Sequence, residues 1–192
     1  MFDASQGQQS ITGYRPEYEA ALRLFAKVSK AMEAKGLRSP VLVGGAAVEL
    51  YSGSAVTTGD FDIVTPRQAE FEALLQEHGF IRPSGPGMAT RGWIHPELGL
   101  GFEVVGSTVL DGNSDADRLQ LIDAGEDGVA QVISVEDIIA DRMGQFASGT
   151  APEMREQAQK LFALYPDADK VYMEKRIRQE TDGTYGVENL EE

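Results

Sequence analysis

The stretch TTGDFDIVT, from Thr57 to Thr65, decides how this chain is read. It sets two carboxylates, Asp60 and Asp62, one residue apart around Phe61, in a run that continues into Ile63 and Val64. Side chains alternate along a strand, so both acids project from the same face. Aspartate is depleted in strands. Two like charges so placed repel each other unless something positive sits between them. Hard oxygen ligands on one face suit Mg²⁺, which takes one or two carboxylates plus substrate phosphates. The plain alternative is a solvated strand face, with Asp60 capping the turn after Gly59.

Two other pieces bear on that choice. Upstream, PVLVGG reads as a short buried strand ending in Gly44 and Gly45, followed by a turn or two of helix over AAVELY. Glycines there let backbone approach a ligand closely, and a helix N-terminus offers free N–H groups to an anion. A tight strand-to-helix turn, which any α/β protein needs, would use the same residues. Downstream, GFEVVG reads as a strand with Phe102 and Val104 on one face and Glu103 and Val105 on the other. The gap before it lets this strand lie beside the Asp60–Asp62 strand. A third carboxylate would complete a two-metal site, in which one metal binds nucleotide phosphates and the other lowers the pKa of an acceptor hydroxyl. Read singly, Glu103 is an acid on the exposed face of an edge strand.

The order and spacing of Gly44–Gly45, Asp60-x-Asp62 and Glu103 resemble the minimal nucleotidyltransferases of bacteria. That superfamily includes the AbiEii-type members of toxin–antitoxin pairs and the aminoglycoside nucleotidyltransferases. The resemblance extends over Val41 to Gln179. SVEDIIADRMGQF is similar to the helix after the catalytic core of small stand-alone members, with Asp141–Arg142 at the position of their Asp-Arg, and EQAQKLFALYP is similar to their last helical pair. The resemblance implies Asp60, Asp62 and Glu103 as catalytic and metal-binding residues, Gly44, Gly45 and Arg142 as nucleotide-binding residues, and Mg²⁺ (or Mn²⁺) as cofactor. The partners it implies are an NTP and an acceptor hydroxyl on a small molecule, a protein or an RNA end. The chain departs from the pattern at Gly45–Ala46, where many members carry a serine, at Val56, where many carry arginine, and near Ala151, where an aspartate is common. These departures leave open a second reading, a non-catalytic module on the same fold that binds a toxin–antitoxin or regulatory partner. Arg91 and Arg142 are the arginines that could supply missing positive charge.

The rest of the chain frames these motifs. Helical spacing of Leu22, Phe25, Val28 and Met32 predicts a helix over Pro16–Gly36. PRQAEFEALLQEHG predicts a helix with Pro66 in its first turn and Gly79 at its close. FIRP reads as a brief strand, SGPGMATRGW as a loop or hairpin edge, and DGNSDADR as a polar loop. VAQVISVEDIIADRMGQF reads as a strand giving way to a helix at Ser134, with Asp137 three residues on, close to a capping box. Helices are expected over Pro152–Leu164 and Asp167–Glu180. The expected organisation is α+β: a loose N-terminus over 1–15, a mixed-sheet core over 16–133, a helical part over 134–181 packed on it, and an acidic tail over 182–192.

Composition narrows the function. With 17 Lys+Arg against 31 Asp+Glu, the net charge of −14 argues against broad, non-specific binding to nucleic acid. It would also suit a cationic small-molecule substrate. The absence of cysteine excludes disulfides, thiolate nucleophiles and cysteine metal sites. No run reaches the ~18 apolar residues of a membrane span, and the first residues lack the features of a secretory signal. A cytoplasmic protein is the expectation. Two separated histidines, His78 and His95, do not suggest a zinc site, and no nucleophile elbow is present. Trp93 is expected to pack hydrophobically near the mouth of the site.

Overall fold

A computed structural model describes residues 9–10, 13–83 and 92–191, with side chains from 13 onward. Its centre is a seven-stranded mixed sheet in the order β1-β6-β7-β2-β3-β5-β4. The strands are β1 (Gln9–Ser10), β2 (Val41–Val43), β3 (Asp60–Val64), β4 (Trp93–Ile94), β5 (Gly101–Gly106), β6 (Gln120–Asp123) and β7 (Val129–Val132). The helices are α1 (Pro16–Ala34), α2 (Gly44–Tyr51), α3 (Gln68–Glu77), α4 (Val135–Ala147), α5 (Glu153–Leu164) and α6 (Lys170–Glu180). Among the described residues, no helix is long and apolar enough to cross a membrane.

Alternation along β3 and β5 sorts the sheet into two faces. Phe61 and Phe102 are direct neighbours in the parallel β3–β5 pair, and their rings stack at 4.9 Å. Tyr18 and Phe25 of α1 and Phe80 close over them at 5.3, 6.3 and 4.6 Å. All of these side chains are buried. Each large side chain removed from water contributes about 1.5–3 kcal/mol, so this face carries much of the core. The opposite face of the same two strands holds Asp60, Asp62, Glu103 and Val105, and Val105 is 52% exposed. One strand thus serves both core and site, because one residue's shift along it reverses the face.

The C-terminal helices are tied together through a buried acid. Ser134 caps α4 by accepting from the Asp137 N–H at 3.1 Å. The Asp137 carboxylate accepts from Ser114 Oγ at 2.8 Å, Ser134 Oγ at 3.0 Å, Tyr172 O–H at 3.1 Å and Arg176 Nε at 2.8 Å. Arg176 is fully buried and also donates to Gln179 and Glu180. These bonds pin α6 to α4. In the last residues Leu190 is buried, and Arg155 donates to the Asn189 carbonyl.

Several local expectations need correction. α3 starts at Gln68, so Pro66 lies ahead of it rather than in its first turn. Thr65 Oγ1 accepts from the Arg67 N–H at 3.2 Å, and this local turn competes with helix at that point. FIRP contributes only a single bridge, Ile81 to Ile94. Trp93 and Ile94 form an edge strand antiparallel to β5, at the end of the stretch read as a loop or hairpin edge, and β6 was not foreseen. Most of the 1–15 segment and Arg91 lie outside the described residues.

Candidate active site

The strand register brings the three predicted acids to one place. Asp62 is the cross-strand partner of Glu103 in the parallel β3–β5 pair, and of Val43 in the antiparallel β2–β3 pair. Adjacent strands lie ~4.8 Å apart, and direct neighbours share a face. Asp60 projects from that same face, opposite Gly101. Gly44 follows Val43 directly, so the end of β2 delivers the glycine turn beside Asp62.

Each acid lies against a glycine. Gly44 has φ +62, and a Cβ there would collide with the Asp62 carboxylate. Only glycine both adopts this backbone and admits the carboxylate. A Cβ on Gly101 would stand 2.7 Å from Asp60 Oδ1, and one on Gly92 would stand 3.4 Å from Glu103 Cβ. Gly44 was singled out in the sequence. Gly92 and Gly101 were missed, because only the pairing register reveals that they face the acids.

Asp62 is the most constrained of the three. Asp62 faces the Gly45 N–H at the N-terminus of α2 from the neighbouring strand. Burial pushes its carboxyl above the usual range. The Gly45 N–H and the Arg142 charge pull it back, and the charges of Asp60 and Glu103 push it up again. Arg142 is the positive charge that this balance includes. It lies on α4, is only 5% exposed, and is bonded through Nη1 to Gln145 Oε1 at 3.2 Å and to Met154 Sδ at 3.1 Å. Its Nη2 is 3.6 Å from Asp141. Its Nε is buried without a hydrogen-bond partner. Burial also raises the Asp141 carboxyl, opposed by the Arg142 charge and a hydrogen bond from Gln145.

A cavity of about 440 Å³ runs from Asp62 toward the C-terminal ends of β3 and β5. Val43, Val64 and Val105 line it from the sheet, and Asp141, Arg142 and Gln145 line it from α4. Glu180 of α6 and Asp111 also border it. Asp62 is the one acid of the three that reaches it, with Asp60 and Glu103 beyond its edge.

Among the described residues, no three His, Asp or Glu side chains close around a single point as a metal cage would. The donor chemistry nonetheless fits a hard cation. Three carboxylates share a face, glycines clear space for those of Asp60 and Asp62, and Asp62 feels two like charges against one arginine. The other candidates fall away from the site. Trp93 is buried as expected, but it pairs with Phe102 and so lies on the face away from the acids, under Arg82 at 5.0 Å. His78 is the C-terminal cap of α3, its Nδ1 2.8 Å from the Leu74 carbonyl oxygen, and His95 packs edge-on to Phe80 at 5.2 Å.

No family model matches the sequence, and no curated protein matches it. Solved structures do. An antigenic nucleotidyltransferase-like protein from Paracoccidioides brasiliensis matches with a TM-score of 0.59 at 13% identity, over 93% of this chain and 94% of its own. ANT(2'')-Ia in complex with adenylyl-2''-tobramycin matches with a TM-score of 0.54 at 14% identity, over 85% of this chain and 98% of its own. At such identities the likeness is one of fold: the chain has a nucleotidyltransferase-like α+β fold.

Proposed function

We propose that the protein is a Mg²⁺-dependent nucleotidyltransferase that moves NMP from an NTP to a hydroxyl acceptor. The observation that carries this reading is the register of Asp62 against Glu103, with Asp60 on the same face and the Gly44–Gly45 turn beside them. Asp60 and Asp62 would hold a cation beside the NTP phosphates. Glu103 would join them as a third ligand and help take the proton of the acceptor hydroxyl. The metal, when bound, neutralises phosphate charge and lowers the pKa of that hydroxyl. Gly44 and Gly45 offer backbone N–H groups to the β- and γ-phosphates, with the Gly45 N–H shared between phosphate and Asp62. Arg142 offers its unpartnered Nε–H to a ligand oxygen in the cavity. The acceptor oxygen attacks the α-phosphorus in line, the bond from that phosphorus to the bridging oxygen of the β-phosphate breaks, and pyrophosphate leaves. Positioned charge supplies most of the catalysis.

Asp111, Asp141 and Glu180 border the cavity with Arg142 as its one cation among the described residues, which disfavours a polyanionic RNA end and favours a neutral or cationic small acceptor. Calorimetry with Mg²⁺ and each of the four NTPs tests the reading. Wild type should bind at least one nucleotide, and Asp60→Asn/Asp62→Asn should not. Equal binding by the two would remove the metal assignment.

A second reading is supported by the departures at Ala46 and Val56 and by the engagement of the Gly45 N–H with Asp62. In it the chain is a catalytically inactive nucleotidyltransferase-fold module serving a regulatory or toxin–antitoxin partner. Absence of labelled NMP transfer to any lysate component, with partner capture equal in wild type and the double mutant, would favour it.

A further inference from the structure

A buried carboxylate that the proposed chemistry does not use sits one helical turn from the glycine pair. Glu49 of α2 is fully buried, and both of its oxygens are saturated. Oε1 accepts from Arg15 Nε at 2.6 Å and from Ser54 Oγ at 3.0 Å. Oε2 accepts from Arg15 Nη2 at 3.0 Å and from the Thr58 N–H at 2.7 Å. Arg15 also donates to the Thr58 carbonyl at 2.5 Å, and its own N–H donates to Ser54 Oγ at 3.3 Å. A buried ion pair gives little net stability over apolar residues of similar volume. Its bidentate geometry does fix orientation.

What it orients is the approach to the acids. Gly45 and Glu49 are four residues apart and share a face of α2. Thr58 lies against both, since a Cβ on Gly45 would stand 2.6 Å from Thr58 Oγ1. Thr58 Oγ1 then bonds the Asp60 carbonyl at 2.9 Å and accepts from the Asp60 N–H at 3.3 Å. A continuous chain of contacts runs from Arg15 through Glu49 and Thr58 to Asp60, while Gly44 packs directly against Asp62. The helix that carries the glycine turn and the strand that carries the acids are thus locked at one spacing by a residue that precedes α1.

We propose that Arg15 and Glu49 are positioning residues: a clamp that sets the Gly44–Gly45 turn and the Asp60–Asp62 strand at the spacing the site requires. The inference rests on the site assignment above, and its test separates the two. Hydrogen exchange on the full chain is compared for wild type, Arg15→Ala, Arg15→Lys and Glu49→Gln, alongside titration of each with Mn²⁺·ATP. In Arg15→Ala, amides over 54–60 should exchange at least about tenfold faster, with α5 and α6 unchanged, because the Arg15 bonds to Glu49 and to the Thr58 carbonyl that keep this segment closed are lost. The Kd for Mn²⁺·ATP should rise by about tenfold or more, the range seen when residues that orient metal ligands are lost. Glu49→Gln, which retains the shape, should show a smaller shift of both in the same direction, and Arg15→Lys should restore only part, because lysine cannot form the fork. Unchanged exchange over 54–60 in Arg15→Ala would overturn the clamp. Faster exchange with an unchanged Kd would overturn its positioning role. Failure of wild type to bind Mn²⁺·ATP would strike the site assignment, and the exchange comparison would still decide the clamp.

Discussion

Asp137 is fully buried and Asp62 half-buried, and the two acids are satisfied in different ways. Asp137 has Arg176 at 2.8 Å together with Ser114, Ser134 and Tyr172, and none of its surface meets water. Asp62 has one backbone N–H, a more distant arginine, and two acids that repel it. A carboxylate kept for structure is closed off by its own chain. On the function proposed above, a carboxylate left short of positive charge, beside a cavity and with a glycine cleared against it, is the one that receives a cation.

Four substitutions or additions can break that comparison or sharpen it. The largest effect is expected on activity. In a labelled-NMP assay Asp60→Asn/Asp62→Asn should lose transfer by on the order of 10³-fold, because the several kcal/mol of charge stabilisation supplied through a bound metal goes with its ligands. Its folding, read by circular dichroism, should be retained. Asp137→Ala should do the reverse, costing about 3–5 kcal/mol in urea unfolding by leaving the buried Arg176 Nε without its carboxylate. Next, Mn²⁺·ATP at about a hundred times its Kd should stabilise wild type by ~2.7 kcal/mol and leave the double mutant unmoved in a thermal melt.

The smallest effect is the pH dependence of the metal-free protein. The Asp62 carboxyl is raised by burial, so its folded pKa exceeds its unfolded one. Its contribution to stability is therefore fully present below the unfolded pKa and is lost as pH rises through the raised folded value. Asp62→Asn should remove that loss, so its urea midpoint should exceed that of wild type at neutral pH and converge with it in acid. A midpoint below wild type at every pH would place Asp62 with Asp137 as a structural acid.

Much of the fold was legible because local rules and tertiary structure agree. The alternation in GFEVVG put Phe102 and Glu103 on opposite faces, as found, and the Phe102 face is the buried one. Ser134 and Asp137 marked the start of α4 correctly, though the sequence held no sign that Asp137 would bind Arg176, 39 residues away. The acids and the Gly44 turn were visible as a motif. What stayed hidden depends on register. Gly101 faces Asp60, Gly92 lies against the Phe102 carbonyl and Glu103, and Arg15 reaches Glu49 across 34 residues. Trp93 was misplaced for the same reason, since a residue's face in a short edge strand is set by its partner. β6 lacked clear alternation, with Leu121 half exposed and Asp123 at its end.

The central claim is that Asp60, Asp62 and Glu103 share a cation. Titration of Mn²⁺ by electron paramagnetic resonance, on wild type and on Asp60→Asn, Asp62→Asn and Glu103→Gln in the presence of ATP, tests it most directly. Wild type should bind Mn²⁺, and each substitution should weaken that binding while the fold is kept. Binding that is unchanged in all three variants would contradict the account.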